Sequence, residues 1–139
     1  MPINGFNKTT LLDYPGKIAS TIFLGGCNFR CPFCQNSSLV LSPNKQPVIS
    51  TEEVLSVLKK RQGILEGVCI TGGEPTSDKE LFLLIDKIKE LGYPVKLDTN
   101  GSHPWILKKL VNNQMIDMVA MDIKSSKESY TKVSGCKNI

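Results

Sequence analysis

The chain predicts an α/β fold of about four parallel strand–helix units, on three observations. A strand, loop, helix pattern recurs four times along the sequence. The strands are nearly continuous in apolar or small residues, as strands covered on both faces are, and the helical segments carry apolar residues at three- and four-residue spacing. Each polar, glycine-bearing motif falls just after a strand, where parallel α/β folds and barrels place their ligands.

Residues 5–16, ending Asp13-Tyr14-Pro15-Gly16, read as a polar lead-in with a tight turn, because proline presets φ and glycine accepts the positive φ that closes it. The first strand is expected over Lys17 to Leu24, with Ile18, Ile22, Phe23 and Leu24 apolar. Ser50-Thr51-Glu52-Glu53 is a capping box that opens a helix to about Gln62, with Val54, Leu55 and Leu58 on one stripe and Gly63 as a left-handed stop. The second strand, Gly67 to Thr71, runs into Gly72-Gly73-Glu74-Pro75. Ser77 to Glu80 reads as a second capping box before Leu81, Leu84, Ile85, Ile88 and Leu91, and Gly92 ends that helix. The third strand, Val95 to Asp98, ends in Asp98-Thr99-Asn100-Gly101. Pro104 then sits near the first turn of a helix through Val111. The fourth strand, Met118 to Ile123, carries Asp122 and Lys124 at its far end, and a short helix is expected after Ser126. Right-handed crossovers join such units, and no composition shift marks a second domain.

At 139 residues the chain is one domain or part of one, short against the ~250 residues of a complete barrel enzyme. The net charge of +4 is scattered along the chain rather than run together. That distribution suits solvated helix faces and speaks against a nucleic-acid stripe. No basic-plus-apolar leader follows Met1, and no stretch approaches the ~20 apolar residues of a membrane span, so the expected location is cytoplasmic, with no membrane partner. Five cysteines, three of them crowded together, suit a reducing compartment and metal ligation better than a disulfide framework. Cys69 lies inside an apolar strand and reads as core filler. Cys136 has no motif around it, and His103 reads as a solvated loop residue.

The crowded thiols stand in Cys27-Asn28-Phe29-Arg30-Cys31-Pro32-Phe33-Cys34, entered through Gly25-Gly26. Glycines free the entry, Pro32 stiffens the middle, and three thiolates brought onto one face can hold a four-iron cluster while leaving one iron without a protein ligand. Two other readings of the residues stand beside it. A zinc knuckle would need a fourth ligand, for which His103, Cys69 and Cys136 are the available types, none at finger-like spacing; buried inert thiols need no ligand at all.

The Cys-x3-Cys-x2-Cys spacing with Phe33 before the last cysteine resembles the signature of radical S-adenosylmethionine (radical SAM) enzymes. The resemblance implies that Cys27, Cys31 and Cys34 ligate a 4Fe-4S cluster, that SAM chelates the fourth iron, and that Phe33 packs beside the adenine. It implies that Gly72, Gly73, Glu74 and Pro75 bind the amino group of SAM. Asp98-Thr99-Asn100-Gly101 and Met121-Asp122-Ile123-Lys124 resemble strand-end motifs of glycyl-radical-enzyme activases. Carried over, Asp98, Thr99 and Asp122 are candidate ligands of a monovalent cation, with Asn100 beside them, and Lys124 is a contact to SAM or substrate. A strand-end aspartate that only caps the next helix is the plainer reading of Asp98.

Leu11-Leu12-Asp13-Tyr14-Pro15-Gly16-Lys17 before the first strand and Cys31-Pro32-Phe33-Cys34-Gln35-Asn36 after it resemble the activating proteins of anaerobic ribonucleoside-triphosphate reductase. On that resemblance residues 1–16 are a lead-in and 17–139 a partial (β/α) radical SAM barrel. It is truncated at four units where the family builds six, so either the chain is shortened or another chain supplies the missing wall. The implied function is reductive cleavage of SAM to a 5′-deoxyadenosyl radical that installs a glycyl radical on the reductase, an anaerobic oxidoreductase chemistry. The implied partners are that glycyl radical enzyme and an electron donor such as flavodoxin or ferredoxin. No acid–base pair is required, in keeping with a chain that has one histidine. Two rival functions remain in view: a radical SAM enzyme acting on a small molecule, peptide or RNA, and a non-catalytic remnant that only binds a cluster or zinc.

Overall fold

A computed structural model describes residues 3–25 and 48–121. Within them lie five strands and three α-helices. The strands are β1 (Ile3–Thr10), β2 (Ala19–Leu24), β3 (Gly67–Gly72), β4 (Val95–Thr99) and β5 (Met118–Met121). The helices are α1 (Thr51–Lys60), α2 (Leu81–Glu90) and α3 (Pro104–Asn112). The strands form one sheet in sequence order, β1-β2-β3-β4-β5. β2 to β5 are parallel, as the strand–helix pattern predicts, and β1 adds an antiparallel edge.

That edge is a correction to the lead-in reading, because the first half of residues 5–16 is strand. Its exposed middle, Asn7 to Thr9, and the register breaks on either side of Gly5 to Asn7 hide it from any alternation test. What makes it a strand is the row of backbone donors and acceptors that β2 would otherwise leave unpaired at the sheet edge. The second half of the lead-in behaves as expected. Tyr14-Pro15-Gly16-Lys17 is a turn closed by Lys17 N–H to the Tyr14 carbonyl at 3.0 Å, with Gly16 at φ +75°.

α1 begins as the capping box predicts, with Ser50 Oγ accepting from the Glu53 amide at 3.1 Å. It ends at Lys60, two residues before Gln62, and Gly63 takes φ +88°. The second capping box does not form. Pro75–Ser77 is a short 3₁₀ turn, the Asp78 carboxylate takes the Glu80 amide at 2.9 Å, and α2 starts at Leu81. The Glu74 side chain accepts from the Thr76 amide, which tightens the chain there before Ser77 can act as a cap. β5 is described to Met121; Ile123, Asp122 and Lys124, the helix expected after Ser126, and the cysteine loop lie outside the described residues.

Alternate strand residues face the helices. Ile22, Leu24, Val68, Ile70, Val95 and Leu97 pack with Val54, Leu58, Leu81, Leu84, Ile85, Ile88 and Leu110 in one core. By the parallel register, Thr21 stands beside Cys69 and Cys69 beside Lys96 on the opposite face, which no described helix covers. Helices on one face only distinguish a barrel-type sheet from a doubly wound one, which is covered on both.

Candidate functional site at the strand ends

Two of the predicted motifs meet where β2, β3 and β4 end. β3 closes on Gly72 at φ +119°, so close to β2 that a side-chain carbon there would stand 2.2 Å from the Leu24 carbonyl oxygen. Only glycine fits, for reasons of both φ and space. The next amide, Gly73 N–H, donates to Leu24 O at 2.8 Å. The segment bearing Cys27, Cys31 and Cys34 leaves β2 immediately after Leu24, so its root is stitched to the Gly72-Gly73 turn. The three cysteines themselves, with Phe33, lie outside the described residues.

Glu74 is buried, and its carboxylate points into the protein rather than toward a ligand. One oxygen, Oε2, accepts from the Thr76 amide at 3.1 Å, the Thr76 hydroxyl and the Thr99 hydroxyl at 2.7 Å; Oε1 accepts from the Asn100 amide at 2.7 Å. The carboxylate therefore braces the end of β3 against the end of β4. Asn100 Oδ1 in turn accepts from the Ser102 amide at 3.0 Å and hydroxyl at 2.7 Å, which shapes the turn before α3.

His103 belongs to this network, and the solvated-loop reading is corrected. It is half-buried, with Nδ1 at 3.0 Å from Thr76 Oγ1 and 3.3 Å from Ser102 Oγ. Each of those hydroxyls has one hydrogen, and each hydrogen is committed to an oxygen acceptor, on Glu74 and Asn100 respectively. A ring tautomer with its proton on Nδ1 matches these two oxygens as acceptors. The ring stands edge-on to Trp105 at 5.4 Å between centroids.

Asp98 and Thr99 are neighbours in sequence on a strand, so their side chains leave opposite faces. Thr99 points to the helix side and bonds Glu74, whereas Asp98 points to the helix-free side. There Asp98 Oδ1 pairs with Lys96 Nζ at 2.7 Å, and Oδ2 accepts from Cys69 Sγ at 3.6 Å. Lys96 also donates to the Asp13 carbonyl at 2.6 Å, and Asp13 Oδ2 accepts from the Thr21 hydroxyl at 2.6 Å. Cys69 is fully buried, as core filler should be, but it sits in this polar row. Burial first, and then the Asp98 carboxylate, push its thiol up to about 12. Sequence reading missed Thr76, Ser102 and Lys96. The signal for Lys96 was present: period two on β4 puts it on one face with Asp98.

The chain from residue 21 to 139 matches the model of the radical SAM superfamily, and the protein belongs to that superfamily. A protein of Methanocaldococcus jannaschii provisionally named a glycyl-radical enzyme activating enzyme is 35% identical over 97% of this chain and 55% of its own length. The 7-carboxy-7-deazaguanine synthase of Aquifex aeolicus is 37% identical over 58% of this chain and 35% of its own. Among solved structures, TYW1 with a lysine-pyruvate adduct bound superposes with a TM-score of 0.56 at 20% identity, covering 86% of this chain and 46% of the other, a likeness of fold. The chain thus spans about half the length of the curated relatives it resembles as activases. Among the described residues no helix is long and apolar enough to cross a membrane.

Proposed function

We propose that this chain is the cofactor-binding part of a glycyl-radical-enzyme activase, with anaerobic ribonucleoside-triphosphate reductase as the partner and cytoplasmic flavodoxin or ferredoxin as the electron source. The observation that carries this reading is the stitch between Leu24 and Gly73, which roots a three-thiol segment beside a Gly-Gly turn in a superfamily member. The donor set fits a 4Fe-4S cluster, because Cys27, Cys31 and Cys34 supply three thiolates and leave one iron for SAM. When bound, the cluster and SAM supply a one-electron cleavage of the sulfonium that yields methionine and a 5′-deoxyadenosyl radical able to take a hydrogen atom from a glycine.

The chain's own residues bind and orient. Since the Glu74 carboxylate is already used by Thr76, Thr99 and Asn100, the backbone of Gly72 to Pro75 is what remains to meet the ammonium of SAM, and Glu74 holds that backbone in place. The end of β4 is the next wall, with Asp98 on its helix-free face and Thr99 and Asn100 bonded to Glu74 on the other. On the resemblance Phe33 is assigned to the adenine and Lys124 to a contact with SAM or substrate; both, with Asp122, lie outside the described residues. Such positioning is the protein's part in cofactor chemistry.

Anaerobic reconstitution is the test. The chain should take up about four irons and four sulfides, and Cys27→Ala, Cys31→Ala or Cys34→Ala should each abolish this while Cys69→Ala and Cys136→Ala leave it intact. Stoichiometric zinc without iron–sulfur absorption would overturn the reading. With reductant, SAM and the reductase, a carbon-centred doublet should appear on the partner by EPR. Cleavage of SAM with no doublet on any glycyl radical enzyme would favour a small-molecule substrate, the alternative raised by the likeness to a deazaguanine synthase.

A further inference from the structure

We propose that Lys96 is the resident counter-cation of Asp98, so that the strand-end site of this chain takes no alkali-metal ion. The resemblance to activases assigns Asp98, Thr99 and Asp122 to a monovalent cation; Asp122 lies outside the described residues, and the geometry of β4 does not fit the part assigned to Asp98 and Thr99. A hard cation needs several oxygen ligands converging on one point. Thr99 Oγ1 is on the far side of the strand, donating to Glu74 Oε2 at 2.7 Å. Of the two Asp98 oxygens, one lies 2.7 Å from an ammonium and the other faces a thiol at 3.6 Å. A metal ion placed on Asp98 would stand a few ångströms from a like charge in a partly desolvated row, and like charges there repel strongly.

The ammonium is built in rather than incidental. The Lys96 side chain is 10% exposed, far more buried than surface lysines usually are. Two of its three N–H donors are directed to Asp98 and to the Asp13 carbonyl, and Asp13 is itself held by Thr21. A buried charge with one partner removed is costly, so the pair stays closed and Asp98 keeps its orientation. Lys96 is a positioning residue for the strand-end wall. Its role in binding rests on the proposed activase reading, but its electrostatic role is tested without it.

The experiment uses the full 139-residue chain after anaerobic reconstitution, with iron content measured separately so that loss of the cluster reading is seen by itself. Thermal unfolding is followed in potassium, sodium and choline chloride at equal ionic strength, and thallium(I), a potassium mimic, is offered in equilibrium dialysis. The wild type should melt at one temperature in all three salts and bind no thallium stoichiometrically. Lys96→Met should melt lower and regain stability saturably with potassium, sodium or methylammonium, because an unpaired Asp98 is left behind. Lys96→Met combined with Asp98→Asn, which removes both charges, should show no such rescue. A saturable potassium- or sodium-specific rise in the wild type, or one thallium bound per chain, overturns the proposal whether or not the variants fold. So does a folded Lys96→Met that ignores every cation, or rescue that persists in the double variant.

Discussion

Glu74 is the residue on which the two strand-end motifs depend. A carboxylate with four donors converging on it from two loops cannot be replaced by a group that donates or that offers nothing. Glu74→Gln places an amide against at least one N–H or O–H, and Glu74→Ala leaves all of them buried without an acceptor. We expect a loss of about 3 kcal/mol for either, since each buried unsatisfied donor costs ~1–3 kcal/mol and the sites partly relax. The urea midpoint of the two variants against the wild type measures it, and an unchanged midpoint would show that the network carries no stability. Thr99→Val should lower the midpoint less, because the Glu74 carboxylate keeps its other donors and only the Gly101 amide loses this acceptor.

At the scale of elements, Asp117 latches β4 to the segment that leads into β5. Its Oδ2 accepts from the Val95 amide at 2.8 Å and from Lys89 Nζ of α2 at 2.7 Å, while its own amide donates to Val95 O at 2.8 Å. Partial burial works against the charge, yet the Lys89 ammonium and the Val95 amide outweigh it and hold the carboxyl below its ordinary value of 3.8. A carboxyl whose pKa is depressed by folding contributes stability above its unfolded pKa and loses it as pH falls through the folded one. Asp117→Asn should therefore be less stable than the wild type at neutral pH, and the difference should shrink below pH ~4 and close once the native carboxyl is protonated. The side chains are 31% and 41% exposed, so solvent screening keeps the gap under ~1 kcal/mol. Urea titrations of both proteins at neutral and acid pH test it; a gap that widens in acid would contradict the latch.

For the whole molecule, the sheet is buried on its β2 and β3 side and bare toward β5. Every residue of β2 is buried or half-buried, whereas β5 has Met118 at 37% and Met121 at 52% exposure, and no described strand pairs with its outer edge. An apolar edge strand is a template for pairing with another chain. We expect the 139-residue chain to associate as its concentration rises, and Met121→Lys to lower that association, because a charge on an edge opposes stacking. Light scattering across a concentration series checks this. A wild type that stays monomeric throughout would show the edge to be harmless.

The residues alone determined the parallel strands, because β2, β3 and β4 are apolar enough to be covered and each is followed by a glycine-bearing turn and a helix stripe. They also determined where α2 stops, through the positive φ that Gly92 accepts just after its last turn, whereas α1 ends at Lys60, before Gly63 is reached. The three-thiol spacing and the Gly72 to Pro75 turn were legible for the same reason: their chemistry is set by neighbours in sequence. Tertiary structure decided the rest. β1 is a strand because β2 offers an edge, not because Ile3 to Thr10 alternates. Glu74 faces inward because Thr99, 25 residues away, stands beside it, and Lys96 is anchored by a carbonyl 83 residues distant. Period two tells which face a strand residue takes, but the partner it meets there depends on the register between strands, and that register is a property of the folded sheet.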